Sequence, residues 1–248
     1  MPKAREIAQS VFFVYLGLTV VAVLAYLASG LRLFDAVVHS MTTISTGGFS
    51  NYDDSFAHFP ISTEYLCVFF MIASSLPFIR YVQLTSGNFK ATFFDSQVRA
   101  FLIIIISITV ILFSWLMFQQ THSIEYALRK TLFNGVSILT GTGYSSDNYM
   151  LWGSFPISIF FVIGLIGGCA GSTTCSIKVF RFQILFSAIG SQIKQMHFPS
   201  AVVATRYEGK RVSVDIVSSV IAFFILFFAS LFLIALALSA AGLDFVTA

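Results

Sequence analysis

The stretch LRLFDAVVHSMTTISTGGFSNYDDS, residues 31–55, returns as HSIEYALRKTLFNGVSILTGTGYSSDN, residues 122–148. Each copy opens as a short amphipathic segment of about a dozen residues, too short to cross a bilayer core, which takes about 20. Each then runs into Ser or Thr, Gly, an aromatic, Ser and Asp: STGGFSNYD against TGTGYSSD. Aligning Gly48-Phe49 with Gly143-Tyr144 sets the copies 95 residues apart. A tight glycine turn between helices would account for one such loop. Two copies at equivalent places in a repeat point to a built feature.

Uncharged runs flank both copies. They are Ile7–Leu31, Tyr65–Ile79 with Pro77 and an extension past Arg80 to Phe89, Ala100–Gln120, Asn148–Ile177 and Ile216–Leu243. The runs are continuously apolar and do not alternate, so helices rather than a barrel are implied. The reading is an all-α integral membrane protein of about five transmembrane helices and two short re-entrant helices. Its unit is span, short helix, Gly-rich loop, span. One unit occupies residues 1–95. A second occupies 96–212, with a broken second span and a following loop, and 213–248 is the first span of a further unit. That third copy reaches Ala241-Gly242-Leu243-Asp244-Phe245, which resembles Gly30 to Asp35, and ends at Ala248 before a third glycine loop. The chain is therefore expected to be a fragment, or the product of an interrupted reading frame.

Composition agrees. Of 248 residues 57% are hydrophobic and 10% charged, against about 25% charged in a soluble domain. A soluble enzyme, a nucleic-acid binder and a disordered chain are disfavoured together, and membrane lipid is the expected surrounding. Cys67, Cys169 and Cys175 have neither metal spacing nor an even disulfide framework and read as free thiols. With the N-terminus inside, Lys3, Arg5, Arg80, Lys90, Arg99, Lys178, Arg181, Lys194, Arg206, Lys210 and Arg211 are cytoplasmic. Arg32, Arg129 and Lys130 are outside. This is the bias that orients membrane proteins.

Irregular backbone at membrane depth is tolerated only where it is buried in protein or lines a water-filled path. Gly relaxes the backbone limits so that successive carbonyls can point one way. A ring of carbonyls can replace the hydration shell of a bare cation, and the C-terminal end of a short helix adds a negative dipole end. The two loops hold no carboxylate before Asp53 and Asp147. That chemistry suits a monovalent cation better than calcium.

The motifs TTISTGGFS (42–50), LTGTGYSSD (139–147) and IGGCAGSTTCSIKVFR (166–181) resemble those of the Trk/Ktr/HKT superfamily of potassium transporters, most closely TrkH-like subunits of bacteria. The family has four span–pore helix–span units around one pore. The resemblance implies that this chain is the second unit, the third and the first helix of the fourth. It implies K+ uptake in the bacterial inner membrane, with a filter of Ser45, Thr46, Gly47, Gly48 and Phe49 in one quadrant and Thr140, Gly141, Thr142, Gly143 and Tyr144 in the next. It also implies a gate in Gly164–Lys178, carried by Gly167, Gly168, Gly171, Ser172, Thr173, Thr174, Cys175 and Ser176. The partners implied are a cytosolic nucleotide-binding regulatory subunit (TrkA-like) and, in the full-length form, a second copy. After the GST the chain departs from the family's run of glycine with Thr174-Cys175-Ser176, which implies a stiffer loop. Read from residues alone, the small residues of this segment also suit close helix–helix packing.

Other readings stand beside these. Arg80 reads as a snorkelling span end. Lys178 and Arg181 read as positive-inside anchors or as contacts for the regulatory ring or lipid phosphates. Asp53 and Asp147 either concentrate cations at the mouth or cap their loops. His39 reads as a packed pore-helix residue, and Trp115 and Trp152 as members of interfacial belts. A non-functional remnant is one alternative function. An intramembrane hydrolase using Ser172 is another, but it needs a base within reach, and all four histidines fall outside that segment.

Overall fold

The computed structural model describes residues 2–85, 95–119, 123–200 and 203–243. Lys90, His122 and the Asp244-Phe245 start of the third copy lie outside the described residues. The first apolar run forms helix α1 (Pro2–Ala28). It closes at Gly30, whose φ of +100° suits glycine, with the Leu31 amide donating to the Tyr26 carbonyl at 3.1 Å. A short helix α2 (Leu33–Ile44) follows, burying the face that carries Asp35, His39, Ser40 and Thr43. After the first glycine loop and a 3-10 turn (Ser55–His58) come α3 (Ile61–Ser75) and α4 (Phe78–Thr85).

The second copy repeats this order. Helix α5 (Ser96–Phe118) is a full span, and α6 (Ile124–Thr140) is the short helix, capped by the Ser123 side chain at its start and by Gly141 with φ +71° at its end. A 3-10 turn (Tyr149–Trp152) leads into α7 (Ser154–Gly164). Residues 165–178 are not helical, and α8 begins at Val179 and runs to His197. A two-stranded hairpin, β1 (Arg206–Tyr207) against β2 (Lys210–Arg211), and helix α9 (Val214–Ala240) complete the order.

Among the described residues three helices are long and apolar enough to cross a membrane, and α3 with α4 makes a fourth if taken as one bent span. The span read as continuing past Arg80 is bent by 93° between α3 and α4, and its expected end at Phe89 lies outside the described residues. The break is at Pro77, which has no amide proton for the ladder, and Leu76 before it is extended. The other interrupted span is α7, which stops at Gly164, so the break in the run from Asn148 to Ile177 takes up its whole last part, from Leu165 on, rather than its middle.

Residues 1–179 form one compact unit and 180–248 another. Both short helices and both glycine loops lie in the first, with α1 packed on α2, α3 on α6 and α5 on α6. Tyr26 is fully buried, its hydroxyl 3.0 Å from Thr43 Oγ1 and its ring on Phe70 and Phe56. Phe56 is also fully buried and touches the rings of His39, Phe59, Phe133 and Tyr144, so the 3-10 turn of the first copy plugs into the second. In the second unit, Phe182 packs edge-on to Phe224, and the Arg181 guanidinium lies 3.8 Å from the Phe223 ring centroid. The three cysteines are free thiols, with Cys175 exposed.

Arg80 does not snorkel. Its guanidinium pairs with Asp95 Oδ2 at 2.5 Å, and the other oxygen of Asp95 caps α5 by accepting from the Gln97 and Val98 amides. Asp95 is 4% exposed. Asp95→Ala removes a helix cap and leaves a cation without its partner, so thermal unfolding in detergent is expected to report a loss of about 3 kcal/mol. Asp95→Asn, which keeps an acceptor for the cap, is expected to lose less.

Candidate functional site: two glycine loops and a broken helix

The site is built where α2 and α6 end. At the end of α2 the amides of Gly47 and Gly48 both turn back to the Thr42 carbonyl, at 2.7 and 3.4 Å. Thr46 takes a φ of +53°, uncommon for a branched residue, and Gly48 one of +67°. Thr42 Oγ1 donates to the Phe49 carbonyl at 3.0 Å. In the second copy the amides of Thr142 and Gly143 turn back to the Ser137 carbonyl, and Ser137 Oγ donates to the Tyr144 carbonyl at 2.7 Å. The two loops therefore share one construction, position for position.

They also meet. A side-chain carbon at Gly48 would overlap the carbonyl oxygen of Thr142. Tyr144 is 1% exposed; its ring lies behind the first loop and its hydroxyl bonds Thr42 Oγ1 and the His39 carbonyl. Phe49, its counterpart in the repeat, is 74% exposed. Ser45 caps α2, Thr140 ends α6 fully buried, and the hydroxyls of Thr140 and Thr142 lie 2.7 Å apart.

The broken segment, 165–178, reaches the same place. Thr173 Oγ1 donates to the Ile44 carbonyl at 2.9 Å, and Thr46 Oγ1 donates to the Thr173 carbonyl at 3.0 Å. Gly141 leaves room for Cys175, whose Cβ would be 3.1 Å from an added methyl. The segment also answers the break at Pro77. The Phe78 amide donates to the Gly171 carbonyl at 3.0 Å, the Cys169 amide to the Ser75 carbonyl at 3.0 Å, and the Thr173 amide to the Ser74 carbonyl at 3.4 Å. Groups released from one interrupted helix are thus satisfied by the other.

Within the segment, Gly167 and Gly168 are forced by close approach. A methyl at Gly167 would overlap the Cys175 carbonyl, and one at Gly168 would lie 2.8 Å from Thr174 Oγ1. Ile166 and Ile177 form a parallel bridge. Thr174 Oγ1 accepts from the Gly168 amide at 2.9 Å, and Ser176 Oγ donates to the Gly164 carbonyl at 2.7 Å. Thr174 and Ser176 therefore stitch the segment together. Lys178 is not a free anchor: its amine bonds both the carbonyl and the hydroxyl of Thr174. It also lies 3.4 Å from Ser172 Oγ, but that hydroxyl donates to the Cys169 carbonyl at 2.6 Å. The pair holds the loop together.

A buried ionic cluster stands behind the second loop. Glu64 of α3 accepts from Arg129 at 2.6 Å and from Lys130 at 2.9 Å. All three residues are under 8% exposed. Arg129 also bonds Glu125, and that bond holds the Glu125 carboxyl below its ordinary range. Lys130 continues to the Ser146 carbonyl at 2.6 Å. His39 is packed, as expected, between Asp35 O and Ser50 Oγ. Asp147 is a loop cap, accepting from Tyr126 OH and Trp152 Nε1, whereas Asp53 is exposed. Trp152 is corrected: its ring is buried against Phe160 and its Nε1 donates to Asp147, while its carbonyl accepts from Trp115 Nε1 at 3.1 Å.

The family model of TrkH, cation transport protein, matches residues 1–248. The chain belongs to the TrkH family. It is 37% identical, over its whole length, to the Trk system potassium uptake protein TrkI of Halomonas elongata, of which it covers 51%. It is 29% identical to TrkG of Escherichia coli over 99% of this chain and 51% of that protein. The crystal structure of the potassium transporter TrkH from Vibrio parahaemolyticus superposes with a TM-score of 0.93 at 30% identity, covering 98% of this chain and 53% of that one. The chain spans about half the length of the curated relatives it matches. It is a multi-pass membrane chain of this family. Sequence reading of this TrkH-family chain missed Phe56 and Glu64. Phe56 is one phenylalanine among 29, with no local signal. Glu64 carried one, as an acidic residue opening an otherwise apolar run.

Proposed function

We propose that the protein carrying this chain takes up K+ across the bacterial inner membrane, with the N-terminus cytoplasmic. The observation that carries the reading is the convergence of two repeated glycine loops at the C-terminal ends of two short helices, Gly48 against Thr142 O. K+ sheds water at carbonyls of Ser45–Phe49 and Thr140–Tyr144 and is favoured by the negative ends of α2 and α6. Residues 167–176 act as the gate beneath, and Thr173, bonded to the end of α2, links gate and filter. The residues 1–95, 96–212 and 213–248 are successive pore units, and the exposed ring of Phe49 faces a further unit of the ring. A nucleotide-binding regulatory subunit (TrkA-like) on the cytoplasmic side controls the gate, and the full-length protein pairs with a second copy. The hydrolase reading has no support from the engaged Ser172 hydroxyl.

The test is uptake of K+ by cells lacking their own potassium transporters and expressing the full-length protein that contains these residues. Growth at low K+ and saturable K+ uptake are expected. Absence of uptake from protein present in the membrane at normal level would overturn the reading.

A further inference from the structure

The repeat places three side chains of each short helix against its own glycine loop. In α6 these are Lys130, Asn134 and Ser137, one face at helical spacing. Lys130 Nζ donates to the Ser146 carbonyl, Asn134 brackets Ser146 by accepting from its amide at 3.1 Å and donating to its hydroxyl at 3.2 Å, and Ser137 holds the Tyr144 carbonyl. The equivalents 95 residues earlier are Asp35, His39 and Thr42. Thr42 holds the Phe49 carbonyl, His39 holds Ser50 Oγ, and Asp35 accepts from Asn51 Nδ2 at 3.2 Å. Asn51 and Ser146 are themselves repeat equivalents. The same rung thus carries a carboxylate in the first copy and an ammonium in the second. A buried ammonium needs a counter-charge, and Glu64 from α3 supplies it at 2.9 Å.

We infer that Lys130 is a positioning residue for the second glycine loop, fixing the Ser146 carbonyl and through it the spacing of the backbone oxygens that separate K+ from Na+. The inference rests on the loops being the ion path. Discrimination between two cations of equal charge depends on where oxygens are held and how freely they move. A charge-assisted bond to a main-chain carbonyl is the strongest restraint a side chain can apply there. Asn134 alone grips the amide and hydroxyl of Ser146, so the carbonyl is left to Lys130. Glu64 makes the restraint tolerable in the interior and aims it, because the ammonium is held between two acceptors.

The experiment uses the full-length protein and two readouts: the ratio of K+ to Na+ uptake, and amide hydrogen exchange of the purified protein at residues 143–146. Lys130→Met is expected to lower the uptake ratio about tenfold and to speed exchange of the second loop about tenfold, with the first loop unchanged. Lys130→Arg, which keeps the charge, is expected to restore most of the ratio. The double variant Glu64→Gln/Lys130→Met removes both charges, leaves Arg129 with Glu125, and is expected to reach the membrane at normal level while still discriminating poorly. A double variant with the ratio and exchange of the unaltered protein overturns the inference. If the unaltered protein carries no K+, the functional reading falls, and the exchange result alone decides the positioning role.

Discussion

Gly48→Ala is expected to abolish K+ uptake. Two effects add at this position. The added carbon would overlap the Thr142 carbonyl oxygen, which belongs to the backbone of the facing loop and cannot swing away as a side chain could. The φ of +67° also places an alanine in the left-handed region, at about 1–2 kcal/mol. Neighbouring glycines give an ordered comparison. At Gly47 the nearest atom to an added methyl is Ser45 Oγ at 3.2 Å, the movable end of a side chain, so Gly47→Ala is expected to retain most uptake. At Gly143 nothing lies within 4 Å but φ is +87°, so strain of about 1–3 kcal/mol acts without a clash and an intermediate loss is expected. Rubidium uptake normalised to protein in the membrane measures all three. Equal losses at the three positions would show that contact between the loops is not what counts.

Glu64→Ala is expected to destabilise the protein by about 3–5 kcal/mol, since it leaves Arg129 and Lys130 buried with no carboxylate between them. Glu125 cannot substitute: of the two cations it pairs with Arg129 and not Lys130, and its side chain is 52% exposed. For the same reason Glu125→Gln is expected to change stability by less than about 1 kcal/mol. Thermal unfolding in detergent separates the two. Adding Lys130→Met to Glu64→Ala is expected to recover part of the loss, because the cation left with no carboxylate partner is gone while Arg129 keeps Glu125. No recovery in the double variant would mean that packing around α3, not charge, sets the effect.

The sequence was readable where its chemistry is local. Spans show as uncharged runs, and the repeat as matched Gly, aromatic and Ser positions. The break after Gly164 was visible in a run too long for one crossing, filled with Gly, Ser and Thr. What stayed hidden depends on partners far away along the chain. Pro77 marks a break but not its 93° angle, which is set by where the freed groups of Ser74, Ser75 and Phe78 find bonds. Arg80 looks like any basic span end until Asp95, beyond the intervening stretch, is placed against it. Trp152 has the residue type of a membrane belt, and only the fold turns its nitrogen to Asp147. Lys130 counts as one outer charge by the orientation rule, which registers sign and side but not burial.

The exchange of hydrogen bonds between the two interrupted helices has a consequence for how the chain is made. Ser74 and Thr173 are 99 residues apart, so ribosomes deliver the carbonyl well before its donor. A span with bare carbonyls and a bare amide is poorly tolerated in hydrocarbon, where each such group costs several kcal/mol. The first repeat therefore cannot settle into lipid by itself with its kink formed. The kink is complete only once residues 169–173 are in place to meet Ser74, Ser75 and Phe78.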